Sequence, residues 1–247
     1  MTNQVERRLD VQRDPAALAK RVAGWMIAIL KDRKHSRVSL SGGSTPRALY
    51  ELLASEPFAD QMPWRRVSLF WGDERFVGHD HPDSNYRMAR IAMLDKVPIP
   101  SENVCPVPIA GSPEEAAQQY ERTLKKAYGA ETLAPGRPLF DIMLLGLGAD
   151  GHTASLLPGQ PILAEHQRWV CAVTQGRPET RISLTYPAIN SSRHVAFLVA
   201  GHEKTDILRR LKAGDRNLPA AGVKPEGELV CFADIAAAGN LHDQRTV

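Results

Sequence analysis

The chain is poor in cysteine, lacks a long uninterrupted apolar run and carries no strong excess of either charge. Each shortage removes a class of protein. Its 3 cysteines, Cys105, Cys171 and Cys231, are far apart, and the last two sit inside apolar runs, so they read as reduced core residues, not as a disulfide framework or zinc site. No apolar run approaches the roughly 18 residues of a membrane-spanning helix. The opening segment MTNQVERRLD is too polar for a signal peptide. The expected location is therefore the cytoplasm, with no membrane partner. Against 31 Lys+Arg stand 28 Asp+Glu, a net charge of +3, and the longest basic stretch, Lys31-Asp32-Arg33-Lys34, reads as the solvated end of a helix. Nucleic acid is not an expected partner. Neither a fixed-period repeat nor a low-complexity segment is present, and the proline-rich stretch from Val97 to Pro113 reads as a surface connection within one domain spanning residues 1–247.

What is present is an alternation of strands and helices. Leu18, Val22, Trp25, Met26, Ile29 and Leu30 recur at steps of three and four, which predicts an amphipathic helix starting near Asp14 and Pro15. Arg37 to Leu40 reads as a short strand running into Ser41-Gly42-Gly43-Ser44-Thr45-Pro46, with Thr45 placed to cap a helix beginning at Pro46. The same order returns at Val67 to Trp71, followed by Gly72-Asp73-Glu74-Arg75, and at Phe140 to Leu145, followed by Gly146-Leu147-Gly148-Ala149-Asp150-Gly151-His152. Helices are expected from Glu114 to Tyr128 and from Glu203 to Leu211, and further strands at Arg168 to Val173 and His194 to Ala200. This alternation predicts an α/β fold with a mainly parallel sheet covered on both faces. Ligands of such sheets bind beyond the carboxyl ends of the strands, so the three polar turns should converge on one site.

Each turn has its own chemistry. The two glycines after the first strand let a backbone approach an anion, hydroxyls add donors, and a following helix contributes free N–H groups, so a phosphate fits there. A plain capped turn fits as well, since the lysine of a P-loop is missing. The string from Gly146 to Gly151 matches the dinucleotide fingerprint G-x-G-x-x-G, but Leu156-Leu157-Pro158-Gly159 would cut the required helix short and the next strand ends in Thr174-Gln175-Gly176 without an acidic residue. His152, two residues after Asp150 in a glycine-flanked loop, is the best candidate for a general base, because an imidazole can take a proton from water at physiological pH. Arg75, just beyond a buried strand, carries a planar fork suited to phosphate or carboxylate, unless Asp73 or Glu74 pairs with it. Arg181 and Lys204 could add charge to the same anion, although taken singly each is better explained by a surface salt bridge. His79 and His81 lie in a polar loop without a matching set of metal ligands. The G-x-S-x-G elbow of serine hydrolases is missing, as Gly42-Gly43-Ser44-Thr45 continues into Pro46.

Taken together and in order, Ser41 to Pro46, Trp71-Gly72-Asp73-Glu74-Arg75-Phe76-Val77, Ser84-Asn85-Tyr86, the string from Gly146 through Asp150-Gly151-His152-Thr153-Ala154-Ser155-Leu156-Leu157-Pro158, and Arg181-Ile182-Ser183-Leu184-Thr185 resemble the 6-phosphogluconolactonases of the glucosamine-6-phosphate isomerase/6-phosphogluconolactonase family. The resemblance implies a modified Rossmann-like fold of the glucosamine-6-phosphate deaminase kind. It also implies hydrolysis of 6-phosphoglucono-δ-lactone in the oxidative pentose phosphate pathway, without metal or cofactor, by a monomer or small homo-oligomer. His152 then matches the general base, Asp150 orients the loop or the base, and Gly42, Gly43, Ser44, Asp73, Arg75, Arg181 and Lys204 surround the phosphorylated substrate. One departure is Leu229 to Asp234, which replaces an aromatic-rich ending typical of the family. A deaminase or isomerase of the same family would continue its histidine loop toward an Ile-Phe-Asn-Glu-like string, where this chain has Thr153-Ala154-Ser155-Leu156. A sugar-phosphate sensor would have lost the base that His152 retains.

Overall fold

The computed structural model describes residues 7–241; most of the polar opening segment, Met1 to Glu6, lies outside them, as do residues 242–247. In chain order the elements are β1 (Arg7–Gln12), α1 (Pro15–Leu30), β2 (Ser36–Leu40), α2 (Ser44–Leu53), α3 (Phe58–Gln61), β3 (Val67–Trp71), β4 (Asp73–Arg75), α4 (Asn85–Ala92), α5 (Pro113–Tyr128), β5 (Phe140–Gly146), β6 (Val170–Val173), β7 (Arg181–Leu184), α6 (Tyr186–Asn190), β8 (Ser192–Val199), α7 (Thr205–Lys212), β9 (Glu228–Asp234) and α8 (Ile235–Ala238).

Six strands form one sheet in the order β1-β9-β8-β5-β2-β3, and every pairing in it is parallel. The central strand β5, Phe-Asp-Ile-Met-Leu-Leu-Gly, is buried over nearly its whole length, as a strand covered on both faces must be. Its one charged residue, Asp141, sits at the entry of the strand and is satisfied by Arg33 at 2.8 Å and by the backbone N–H of Arg37 at 2.9 Å. From β2 the chain moves outward to β3 and then returns to β5 on the other side of β2, so the order reverses between β2 and β5. A crevice opens at such a reversal because the two following connections leave in opposite directions.

Helix α1 begins as its sequence predicts. Asp14 caps it by accepting from the N–H of Ala17 at 2.7 Å, and Pro15 follows in the first turn. Its apolar face includes Trp25, whose ring meets Phe232 of β9 edge-on at 5.3 Å. Leu229 to Asp234, the departure from the family's usual ending, is thus a buried strand whose Phe232 supplies an aromatic contact to the core. Cys171 and Cys231 are buried and Cys105 is half-buried; all three are free thiols.

Several local expectations are corrected. The helix after β2 starts at Ser44, not Pro46, and its N-cap is Gly43 with no capping side chain, so Thr45 does not cap it. Asp73 to Arg75 is not a turn but the strand β4, paired antiparallel with β7, which in turn pairs with β6 in a second, three-stranded sheet. The strand expected at Arg168 to Val173 therefore belongs to this small sheet and not to the parallel one. His202–Lys204 forms a 3-10 turn ahead of α7, whose helix proper begins at Thr205. Strand β1 was not legible, because Arg7-Arg8-Leu9-Asp10-Val11-Gln12 holds only two apolar residues and occupies an edge.

Candidate active site

The turn leaving β2 is built around a phenol. Tyr50 of α2, fully buried, donates to the carbonyl of Ser41 at 2.8 Å and accepts from the N–H of Ser41 at 2.9 Å, and burial raises the pKa of its hydroxyl. That clamp fixes where Gly42 and Gly43 begin. Gly43 adopts φ +106°, open only to glycine at low cost, and a Cβ on Gly42 would stand 2.0 Å from Oδ1 of Asn85. Both glycines are thus required by the close approach of the turn to α4 and by the sharp entry into α2.

The second turn proves to be a charged hub. The carboxylate of Glu74 is fully buried and accepts from the backbone N–H groups of Arg75, Asn85 and Tyr86 at 2.8, 2.7 and 2.7 Å and from the hydroxyl of Ser84 at 3.1 Å. Burial pushes its pKa up, and the three N–H groups work against that rise. Glu74 thereby joins β4 to the first turn of α4. The Arg75 guanidinium donates to the carbonyl of Asp83, while its Nε is buried without a partner. Asp73 does not pair with Arg75. Its Oδ2 accepts from the hydroxyl of Ser155 at 2.6 Å and lies 3.9 Å from Arg181 of β7, the register partner of Arg75 in the small sheet. Arg181 is mostly buried, and its Nε also lacks a partner. Both guanidinium groups line one crevice, where their planar forks suit an anionic ligand.

The third turn holds the imidazole. Nδ1 of His152 stands 2.5 Å from Oδ1 of Asp150, and since a carboxylate only accepts, the shared proton resides on Nδ1. Nε2 is then the basic nitrogen of the ring. Burial of Asp150 alone would raise its pKa, but the ring and backbone N–H of His152, the charge of the imidazolium form and the Arg177 guanidinium together hold it at about 2, so it is ionised at neutral pH. Arg177 donates to the other oxygen of Asp150 at 2.9 Å. The loop itself is fastened by the N–H of Gly148 to the carbonyl of His152 (2.9 Å), by the Thr153 hydroxyl to the carbonyl of Gly146 (2.9 Å) and by the N–H of Ala220 to the carbonyl of Gly151 (2.9 Å). Ala154 adopts φ +47°, a left-handed conformation that costs an L-residue energy and marks a loop held by its surroundings.

These turns converge as expected. Gly42, Gly43, Ser44, Asp73, Arg75, His152, Arg181 and Lys204 all line one open cleft of about 330 Å³ beyond the carboxyl ends of β2 and β5. Asp150 does not line it but stands behind His152. Three residues at or behind the site had no role assigned from sequence: Asn85, which abuts Gly42 and donates to the carbonyl of Asp73 at 2.9 Å; Ser155, which holds Asp73; and Arg177. The first two lie inside recognisable motifs, whereas Arg177 sits in a surface connection with no local signal. A larger groove of about 430 Å³ lies between α5 and β6, but its charges satisfy one another, Lys125 with Glu121 at 2.9 Å and with Glu131 at 3.4 Å. His79, away from the imidazole loop, is bonded to the carbonyl of Val107 at 2.9 Å.

The site can be placed among known proteins. A family model described as glucosamine-6-phosphate isomerases/6-phosphogluconolactonase matches residues 11–231. The chain belongs to that family. Among curated members, a 6-phosphogluconolactonase of Synechocystis is 44% identical over 217 residues, covering 86% of this chain and 87% of its own. The chloroplastic 6-phosphogluconolactonase 3 of Arabidopsis thaliana is 42% identical over 231 residues, covering 91% of this chain and 71% of its own. The solved 6-phosphogluconolactonase of Trypanosoma cruzi superposes with a TM-score of 0.81 at 30% identity, over 96% of this chain and 98% of that one. A monomeric glucosamine-6-phosphate deaminase superposes equally well, TM-score 0.81, at 18% identity, which establishes a shared fold. The modified Rossmann-like architecture expected from the motifs is thus the family's fold.

Proposed function

We propose that this chain hydrolyses 6-phospho-D-glucono-1,5-lactone to 6-phospho-D-gluconate, with His152 as the base that activates water. One observation carries the reading: the proton shared with Asp150 lies on Nδ1, so Nε2 is the proton acceptor of a ring that lines a cleft together with the guanidinium groups of Arg75 and Arg181. Curated relatives named 6-phosphogluconolactonase at 44% and 42% identity support the substrate. Nε2 takes a proton from water as its oxygen adds to the lactone carbonyl carbon. The tetrahedral intermediate collapses by breaking the bond from that carbon to the ring oxygen, and the imidazolium returns the proton to the departing oxygen. Atoms balance with water as the only co-reactant. Throughout, ionised Asp150 steadies the ring and favours its charged form in the transition state.

In this reading the turn at Gly42, Gly43 and Ser44 and the cations Arg75, Arg181 and Lys204 hold the phosphate and hydroxyl groups, and backbone or guanidinium donors facing the developing oxyanion are worth a few kcal/mol. Asp73, placed among the ligand-binding residues by resemblance, lines the cleft and stands 3.9 Å from Arg181, where it can also steer that cation. A single core cluster joins residues from both sheets, which supports one domain. No helix among the described residues is long and apolar enough to cross a membrane, in keeping with a cytoplasmic site of action.

The test is acid release from freshly generated lactone, followed by pH-stat above the spontaneous rate, for the native chain beside His152→Ala. Rapid hydrolysis lost in the variant, with binding of 6-phosphogluconate retained, is the expected result. No acceleration by the native chain overturns the proposed reaction, and equal loss of binding and turnover removes His152 from the role of base.

A further inference from the structure

Arg177 lies outside every motif that carries the family resemblance, and it does not line the cleft. Yet, among the described residues, it makes the only side-chain hydrogen bond or ion pair that reaches the Asp150 and His152 pair from another element. It sits in the connection from β6 to β7. Gly176 before it adopts φ +85° and packs so closely on Leu157 that a Cβ there would stand 3.0 Å from Cδ1 of Leu157. The connection is therefore seated against the segment that follows the imidazole loop. From this position Nη2 of Arg177 donates to Oδ2 of Asp150 at 2.9 Å and lies 3.2 Å from Nδ1 of His152.

We infer that Arg177 is a positioning residue for the reaction: it holds the outer oxygen of Asp150 so that the inner oxygen faces Nδ1 of His152, and its charge beside the ring opposes a second proton there. The first part follows from division of labour on one carboxylate. Asp150 is about two-fifths exposed and belongs to a surface loop, so without a second partner its carboxylate would be free to rotate. The second part follows from proximity. With the proton on Nδ1, the 3.2 Å approach of Arg177 is not a hydrogen bond but a cation beside the ring, and it opposes a second proton on Nε2. Among the described residues, the other charged groups lining the cleft with His152 are Asp73, Arg75, Arg181, Glu203 and Lys204, and none of them hydrogen-bonds or ion-pairs with the ring. Asp150 and Arg177 thus act on the imidazole with opposite signs, one favouring the charged form and one delaying it.

The inference rests on His152 as base, and its test separates the two. kcat and KM are measured against pH for the full chain, Arg177→Ala, Arg177→Lys and His152→Ala, with thermal unfolding as a check of folding and ¹⁵N NMR of the His152 ring as a direct readout. For Arg177→Ala the acid limb of kcat/KM and the NMR titration of His152 should both move upward by about half to one pH unit. kcat at the optimum should fall about tenfold while KM changes less than threefold. Arg177→Lys should return the limb toward its native position, because charge is restored, but only part of kcat, because a single donor cannot grip the carboxylate as well. An unmoved limb and titration in Arg177→Ala, or a loss confined to KM, overturns the inference. If Arg177→Ala does not fold, Arg177→Lys and Arg177→Gln carry the same comparison. Residual activity in His152→Ala would instead sink the base reading itself.

Discussion

Gly148 lies directly beneath the ring of His152: a Cβ built on it would stand 2.0 Å from Nδ1 and 2.2 Å from Cε1. The glycine that makes this loop look like a dinucleotide fingerprint is therefore needed for another purpose. It lets the imidazole fold back over the loop and reach Asp150, four bonds of backbone hydrogen bonding and side-chain pairing being compressed into five residues from Gly148 to His152. A Gly148→Ala variant must push the ring aside. Since a misplacement of about 1 Å can cost about a hundredfold, kcat should fall about that much with little change in unfolding temperature, read by pH-stat and calorimetry.

Asp73 gives a contrasting case. Its carboxylate is buried between Ser155 at 2.6 Å and Arg181 at 3.9 Å, at the edge of the cleft it helps to line. Replacing it with Ala frees Arg181 and should raise KM about tenfold while kcat changes severalfold at most, the pattern of lost ground-state binding. A fall confined to kcat would place Asp73 in the proton chemistry instead.

Glu74 carries stability. Four donors converge on its buried carboxylate, so Glu74→Ala leaves them unsatisfied where water has no access. A cost of about 3 kcal/mol is expected, equivalent to a Tm lowered by about 6–12 °C for a chain of this size. Glu74→Gln, which keeps one acceptor oxygen, should lose less. Equal Tm for all three chains would show that the hub contributes nothing.

Asp150 makes stability depend on pH in a defined direction. Its folded pKa, about 2, lies below the ordinary value of 3.8, so the native chain binds fewer protons than the unfolded one between those limits. The stabilisation is present above pH 4 and is lost as pH falls toward 2. In Asp150→Asn that contribution is missing throughout, and the difference in Tm between native and variant chains should shrink over this window. The effect is modest, because the carboxylate is partly exposed and screened by solvent.

The sequence by itself determined the elements whose signals are local. The apolar steps of α1, the continuous apolar run of β5 and the strand-to-glycine boundaries at residues 40–42 and 145–148 follow from periodicity and turn chemistry within a few residues, and they suffice to bring the three turns and His152 to one end of the sheet. Only the tertiary structure decided the polar pairings. The small sheet of β4, β7 and β6, the attachment of Asp73 to Ser155 across 82 positions and of Arg177 to Asp150 across 27 join segments whose distance along the chain carries no periodic signal. The edge strand β1 escaped for a related reason: half exposed and mostly polar, it is a strand only because β9 offers it a partner along its whole length.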